Sequence, residues 1–245
     1  MNSKIIFEKI DKLQDEYINF WIDICNIESP TEAKTCVDRV GNYIIEKAKE
    51  MGWQIEVQPQ KISGDCVCIT MNPESDGRPV CVSGHTDTVH PIGNFGETPV
   101  TVDNEKIYGP GVTDCKGGIV AGFLAMVALK ECGFSSRPVK LILQSDEENS
   151  SLTSNKTTID FMLECAKGSA AFLNLEPNIK DTAVLHRKGI LKYSFEVSGK
   201  AAHAGNCHLG ISAVAEASHK IIELEKLKDI NGITSNCGLI SGGLL

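Results

Sequence analysis

The sequence predicts an α/β layer fold, and three observations carry that prediction. Two short runs, CVCITM (66–71) and PVCVSG (79–84), are apolar at almost every position, as strands buried on both faces are. Such runs alternate along the chain with segments whose apolar residues recur at helical spacing. One segment, 117–132, is apolar nearly all round, which marks a helix packed deep against a sheet.

Taken in order, residues 4–25 read as a first helix of mixed polarity. Ser29-Pro30-Thr31-Glu32 reads as a helix start, with Ser29 as cap, Pro30 in the first helical position and Glu32 reaching back as a capping box. Val37, Val40, Ile44, Ala48 and Met51 follow on one helical face, and Gly52 ends the run. Residues 53–58 alternate as a strand, 66–71 and 79–84 are buried strands, and 117–132 is the apolar helix. PVKLILQS (138–145) and AAFLNL (170–175) are further strands, with a helix over 157–167 between them. The texture changes near Gly189, where Leu191, Tyr193, Phe195 and Val197 alternate with Lys192, Ser194, Glu196 and Ser198. That pattern predicts a strand with one dry and one wet face. A helix over 210–228 and a strand over 233–243 complete what reads as the start of a second domain.

Composition narrows the function classes. With 42% hydrophobic and 23% charged residues in 245, the chain has enough apolar surface to offset the entropy of ordering. Twenty-four basic residues against 32 acidic ones, a net charge of −8, argue against nucleic acid as a partner. No run approaches the ~20 consecutive apolar residues that span a bilayer, and the charged opening MNSKIIFEKIDKLQDEY is unlike a secretory signal. The ten cysteines are scattered with no CxxC pair, as expected of reduced, buried thiols in a cytoplasmic protein. Cys66 and Cys68, two apart, share one face of a strand.

The polar residues of interest sit where the buried strands end. The 79–84 run leads into Gly84-His85-Thr86-Asp87, so His85 and Asp87 point to one side. That suits a histidine binding metal through one nitrogen while a carboxylate orients the other, although HxD pairs are also common on surfaces. The glycines and proline of YGPGVTDCKGG (108–118) force a tight loop into the apolar helix and set Asp114 near a helix N-terminus, which favours an anion. A capping aspartate has the same signature, and the spacing is that of neither a P-loop nor GxGxxG. Asp146-Glu147-Glu148 closes LILQS. Three adjacent carboxylates repel, so they form either a solvated loop or a site where a cation neutralises them, one carboxylate as ligand and its neighbour as base. Glu176, in Leu175-Glu176-Pro177, ends another strand. His85, Asp114, Glu148 and Glu176 thus fall at the carboxyl edge, where α/β sheets bind ligands. Imidazole with carboxylates suits zinc or a similar divalent ion better than magnesium or calcium, and so many oxygens can hold two ions bridged by one aspartate.

Five ordered motifs, SGHTDTV (83–89), YGPGVTDCKGG (108–118), SDEE (145–148), LEP (175–177) and GKAAHAG (199–205), resemble the zinc aminoacylase and carboxypeptidase family. That family includes peptidase T, acetylornithine deacetylase and succinyl-diaminopimelate desuccinylase, and the motifs look most like its glutamate carboxypeptidase branch. The resemblance implies a three-layer catalytic domain with a mostly parallel twisted sheet (1–188). It also implies the first part of an inserted α+β lid and dimerisation domain (189–245). It places His85 and Glu176 on one zinc, Glu148 on a second, and Asp114 between the two, with a cis peptide at Asp114–Cys115. Asp87 would orient His85, Glu147 would be the general base, and His203 would reach from the lid to the substrate carbonyl in the partner of a homodimer. The substrate would be a small peptide or an N-acyl amino acid, and cobalt or manganese could replace zinc.

The family supplies one more zinc-binding histidine beyond the lid. The six histidines here are 85, 90, 186, 203, 208 and 219, and none follows the lid. The expectation is therefore an incomplete copy of a longer enzyme. Its rival is a non-catalytic product that binds metal or pairs with a full-length partner through the lid helix. A thiol hydrolase using Cys115 or Cys81 is a third reading. His90 reads as a surface residue, with a place lining the substrate entry as the alternative.

Overall fold

The first helix, α1 (Ser3–Asn26), starts where the Asn2 side chain accepts from Lys4 N at 3.0 Å, and it buries Tyr17, Phe20, Ile24 and Cys25 along one stripe. The computed structural model describes residues 2–103, 105–178 and 182–242. It divides the chain into two compact units, Met1–Ala183 and Val184–Leu245.

In the first unit, helix α2 (Lys34–Glu50) follows α1 and ends before Gly52, whose φ of +69° is the left-handed conformation that suits glycine. The sheet strands are β1 (Gln54–Gln58), β2 (Cys66–Met71), β3 (Val80–His85), β6 (Val139–Gln144) and β7 (Ala171–Asn174). A separate hairpin pairs β4 (Thr101–Asp103) with β5 (Lys106–Tyr108). Helix α3 (Gly117–Glu131) precedes β6, and α4 (Thr157–Ala166) precedes β7. The sheet order is β1-β2-β6-β3-β7. Strands β6, β3 and β7 pair in parallel, and only β2 runs against the others.

Three layers result. Val67, Ile69 and Met71 of β2, Val82 of β3 and Leu141 and Leu143 of β6 face α1, α2 and α3 in the main core. The alternate residues Cys66, Cys68, Cys81 and Ile142 face α4 through Phe161 and Cys165. The period-2 alternation of a strand is what sorts the cysteines onto one side. Phe123 of α3 anchors the main core, with ring centroids 4.9 Å from Trp53, 5.5 Å from Phe20 and 6.1 Å from Tyr17. The stretch Val112–Glu131 is long and apolar enough to cross a membrane by length and composition, but α3 spends its apolar surface on α1, β3 and β6.

Parallel pairing sets His85 level with Gln144, and Ser83 level with Asn174. The segments that follow β3, β6 and β7 therefore leave the sheet along one edge. His85 ends β3 and Asp87 follows it, Asp146 to Glu148 follow β6, and Glu176 follows β7.

The structure departs from sequence expectation in several places. Ser29 to Glu32 do not start a helix; α2 begins at Lys34, with no side-chain cap. Ser29 and Thr31 are fully buried and bond the chain after β3 instead. Residues 190–198 and 233–242 form no strand, because a strand exists only through a partner. In the second unit the one bridge among the described residues joins Lys200 to Ile211. Leu191, Tyr193 and Phe195 are 79%, 74% and 71% exposed, so the alternation there faces no core. Residue 243 of the expected strand lies outside the described residues. The second unit's helix, α5 (Ala213–Glu225), is shorter than the expected 210–228 and is capped by Ser212, which accepts from Ala215 N at 3.1 Å. The β4–β5 hairpin gave no sequence signal, its strands being three residues each and largely exposed.

Candidate metal centre

Asp87 is fully buried and is the acceptor on which the site is built. Its Oδ2 accepts from Thr31 Oγ1 at 2.7 Å and from Glu148 N at 3.2 Å, and its Oδ1 accepts from Glu147 N at 3.1 Å. Two separated segments are thus bonded to one carboxylate. His85 Nδ1 lies 3.0 Å from the Asp87 carbonyl and 3.3 Å from Oδ1, so both of its neighbours are acceptors. The proton therefore belongs on Nδ1, and Nε2 is directed the other way.

Nε2 faces carboxylates: Asp114 Oδ1 at 2.9 Å and Glu176 Oε1 at 3.4 Å. Asp114 stands in a tight turn, Val112–Lys116, that feeds α3, and the Asp114–Cys115 peptide bond is cis. Two anchors fix this turn to α1. Trp21 Nε1 donates to Val112 O at 3.0 Å, and the fully buried Lys116 donates to Ile24 O at 3.1 Å and Ile27 O at 2.8 Å. A cation on the last carbonyls of a helix is well placed for both hydrogen bonding and the helix dipole. Burial nonetheless holds the Lys116 ammonium down at about 8. Glu176 reaches the site because Gly118, at the head of α3, has no side chain. A Cβ there would overlap the Leu175 carbonyl.

Among the three carboxylates after β6, Asp146 is structural. It is fully buried and accepts from Thr158 Oγ1 at 2.7 Å and Ser154 N at 2.8 Å, pinning the loop that leads to α4. Glu147 is exposed and Glu148 half-buried, both held by their backbone N–H groups on Asp87. Glu148 and Asp114 line the same pocket.

The electrostatics record a crowd of like charges. Burial, with Asp114 and Glu147 adding to it, pushes the Glu176 carboxyl up to about 7. Burial, with Asp114, Asp87 and Glu147 adding to it, pushes Glu148 up to about 6. Burial opposes a charged His85, but hydrogen bonds with Asp87 and Cys115 outweigh it and carry the ring up to about 12. An imidazole nitrogen ringed by carboxylate oxygens is compatible with two situations only: the nitrogen carries a proton, or a cation stands among the donors. His85 Nε2, a carboxylate oxygen each from Asp114 and Glu176, and Cys115 Sγ all lie within 4.8 Å of one another. The nitrogen-and-oxygen set fits a borderline divalent ion such as zinc. The Cys115 sulfur is already engaged by the backbone of His85, accepting from its N at 2.9 Å.

His203 lies in the second unit, where its Nδ1 accepts from Gly205 N at 3.1 Å at the start of a short helical turn, Ala204–Leu209. Sequence reasoning gave no site role to Thr31 or Lys116, took Ser29 for a helix cap, and considered Cys115 only as the nucleophile of a rival thiol hydrolase. Ser29-Pro30-Thr31-Glu32 carries the same letters whether it caps a helix or turns inward, so local pattern could not separate the two. Lys116 did carry a signal, being a lysine abutting the apolar run of α3.

Two outcomes test this geometry. Asp87→Asn replaces one acceptor oxygen by a donor facing N–H or O–H groups, and should cost about 2–4 kcal/mol in urea unfolding. It should also weaken zinc binding about 10–100-fold by calorimetry. The second concerns pH. Glu148 and Glu176 have folded-state values raised above their ordinary 4.5. The folded, metal-free chain then holds protons that the unfolded chain has released. These two groups make the metal-free chain lose stability as pH rises from about 4.5 to about 7. Thermal unfolding of Glu176→Gln should show a shallower decline over that window than the parent chain, and added zinc should reverse the parent's loss.

With this geometry in place, comparison with known proteins is direct. The sequence model of peptidase family M20/M25/M40 matches residues 81–242. Carboxypeptidase G2 of Pseudomonas sp. (strain RS-16) is 27% identical over 231 residues, which cover 92% of this chain and 54% of that protein. Succinyl-diaminopimelate desuccinylase of Gluconobacter oxydans (strain 621H) is 30% identical over 142 residues, covering 55% of this chain and 37% of that protein. Among solved structures, a tripeptidase of Staphylococcus aureus subsp. aureus Mu50 matches with a TM-score of 0.63 at 19% identity, over 94% of this chain and 61% of that one. At that identity the likeness speaks for the fold alone. The chain spans 54% of the first of these relatives and less of the second. The family match runs through every strand end that supplies the donor cluster, and the chain belongs to peptidase family M20/M25/M40.

Proposed function

We propose that the chain is the metal-binding part of a hydrolase that cleaves the amide bond of small peptides or N-acyl amino acids. Residues 1–188 would serve as the catalytic domain and 189–245 as the first part of a lid that pairs two copies. The observation that carries the reading is the cluster of His85, Asp114 and Glu176, with Glu147 bonded to the same buried Asp87 that orients His85.

His85, Asp114 and Glu176 would hold one zinc, and Asp114 with Glu148 a second. Zinc, when bound, brings the pKa of water close to neutral and polarises a carbonyl. Asp87 keeps the Nδ1 proton in place and so keeps Nε2 available as a donor. Glu147 is the base: its backbone is fixed by Asp87 while its carboxylate is exposed, so it can take a proton from the attacking water. The same carboxylate then gives that proton to the leaving nitrogen. His203 is assigned to the carbonyl oxygen of a substrate in a partner copy, where a donor stabilises developing negative charge.

A single-metal, non-catalytic reading has one observation in its favour: Glu148 is not among the four donors that lie mutually within 4.8 Å. Metal counting separates the readings. One tight zinc without turnover supports the binding protein, and two zincs with turnover support the hydrolase. The thiol reading loses ground because Cys115 and Cys81 are fully buried and burial pushes both thiols up, away from the reactive thiolate. Glu147→Gln should lower amide hydrolysis about 10²–10⁴-fold with zinc content unchanged, whereas Asp114→Asn should lose zinc. Equal activity in Glu147→Gln and parent would remove Glu147 from the mechanism.

A further inference from the structure

A pocket of about 440 Å³ opens directly beside Asp114 and Glu148. Its walls are Val89, Phe95, Ile107 and Tyr108, with His90 held edge-on against Phe95 at 5.0 Å between ring centroids. His90 is therefore half-buried rather than a plain surface residue. Val89, Phe95 and Tyr108 are 62%, 36% and 48% exposed. Apolar side chains clustered at a concave surface next to a polar centre are characteristic of a ligand site. At the same pocket sits Thr88, 1% exposed, whose Oγ1 has no hydrogen-bond partner among the described residues.

The charges in the pocket are one-sided. Among the residues that line it, the formally charged ones are Asp114 and Glu148, and none is lysine or arginine. A ligand group entering here finds aromatic and aliphatic surface and no cation to pair with a carboxylate.

We infer that this pocket receives the acyl side of the substrate and selects a neutral, aromatic or bulky apolar acyl group over a carboxylate-bearing one. The inference rests on the amide-hydrolase reading and deepens it. The scissile carbonyl lies at the Asp114–Glu148 end, and the acyl group extends back between Phe95 and Tyr108. A succinyl group, by contrast, would bring its free carboxylate into a pocket with no partner for it.

Binding of N-benzoylglycine, N-acetylglycine and N-succinylglycine to the zinc-loaded full chain, read by ligand-observed NMR and calorimetry, tests the inference without requiring turnover. The benzoyl compound should bind about tenfold more tightly than the acetyl one, as burial of one ring implies, and the succinyl compound no more tightly than the acetyl. Phe95→Ala and Tyr108→Ala, each checked for an unchanged circular dichroism spectrum, should each cut the benzoyl-over-acetyl preference at least about threefold. A flat ranking, succinyl binding equal to benzoyl, no binding of any of the three, or a benzoyl preference that survives both substitutions would overturn it. Hydrolysis of the same three compounds is followed in parallel. An intact ranking without turnover counts against the hydrolase reading and leaves the pocket standing, and turnover with a flat ranking does the reverse.

Discussion

One buried carboxylate organises the molecule's polar edge. Asp87 sits at the end of a central strand with no exposure to solvent. A charge so placed is tolerable only if its lone pairs are all engaged. The chain meets that requirement with Thr31 from the segment between α1 and α2, with two successive backbone N–H groups after β6, and with the ring of His85. Satisfying one anion therefore positions the histidine donor and the two glutamates together. The same bonds explain why Ser29 and Thr31 abandon the helix cap that their sequence suggests: a partner for a buried carboxylate is worth more than a cap on a solvent-accessible helix end.

The second half of the site depends on close approach. The turn carrying Asp114 is bonded to α1 through Trp21 and Lys116, and α3 begins with glycines so that the chain after β7 can pass against it. Gly84 plays the matching role in β3, since a Cβ there would lie 2.7 Å from Ile119 and 3.1 Å from Cys115 Sγ. Apolar packing of α1 and α3 on the sheet fixes these elements, and the fixed elements bring Asp114 and Glu176 to the nitrogen that Asp87 has aimed. The crowded carboxylates that result are unfavourable without a cation, which is the physical sense in which the fold anticipates one.

The elements of the first unit were legible because its strands are buried on both faces and its helices carry clear apolar stripes. The ends of β3, β6 and β7 were visible as abrupt changes from apolar runs to His85, Asp146 and Glu176. Legibility failed where context outweighed local pattern. Ser29 to Glu32 have a helix-start signature that tertiary bonds override, and Asp146 is indistinguishable by sequence from the two glutamates beside it although it faces inward. Residues 190–198 alternate as a strand should, but alternation only describes a face, and hydrogen bonds from a neighbour make the strand.

Zinc-soaked crystals examined by anomalous scattering at the zinc edge test the central claim most directly. The account predicts a peak about 2.0–2.2 Å from His85 Nε2 and from carboxylate oxygens of Asp114 and Glu176, with Asp87 still on the far nitrogen of the ring. A peak bound through the Cys115 sulfur, or one away from His85, would contradict it.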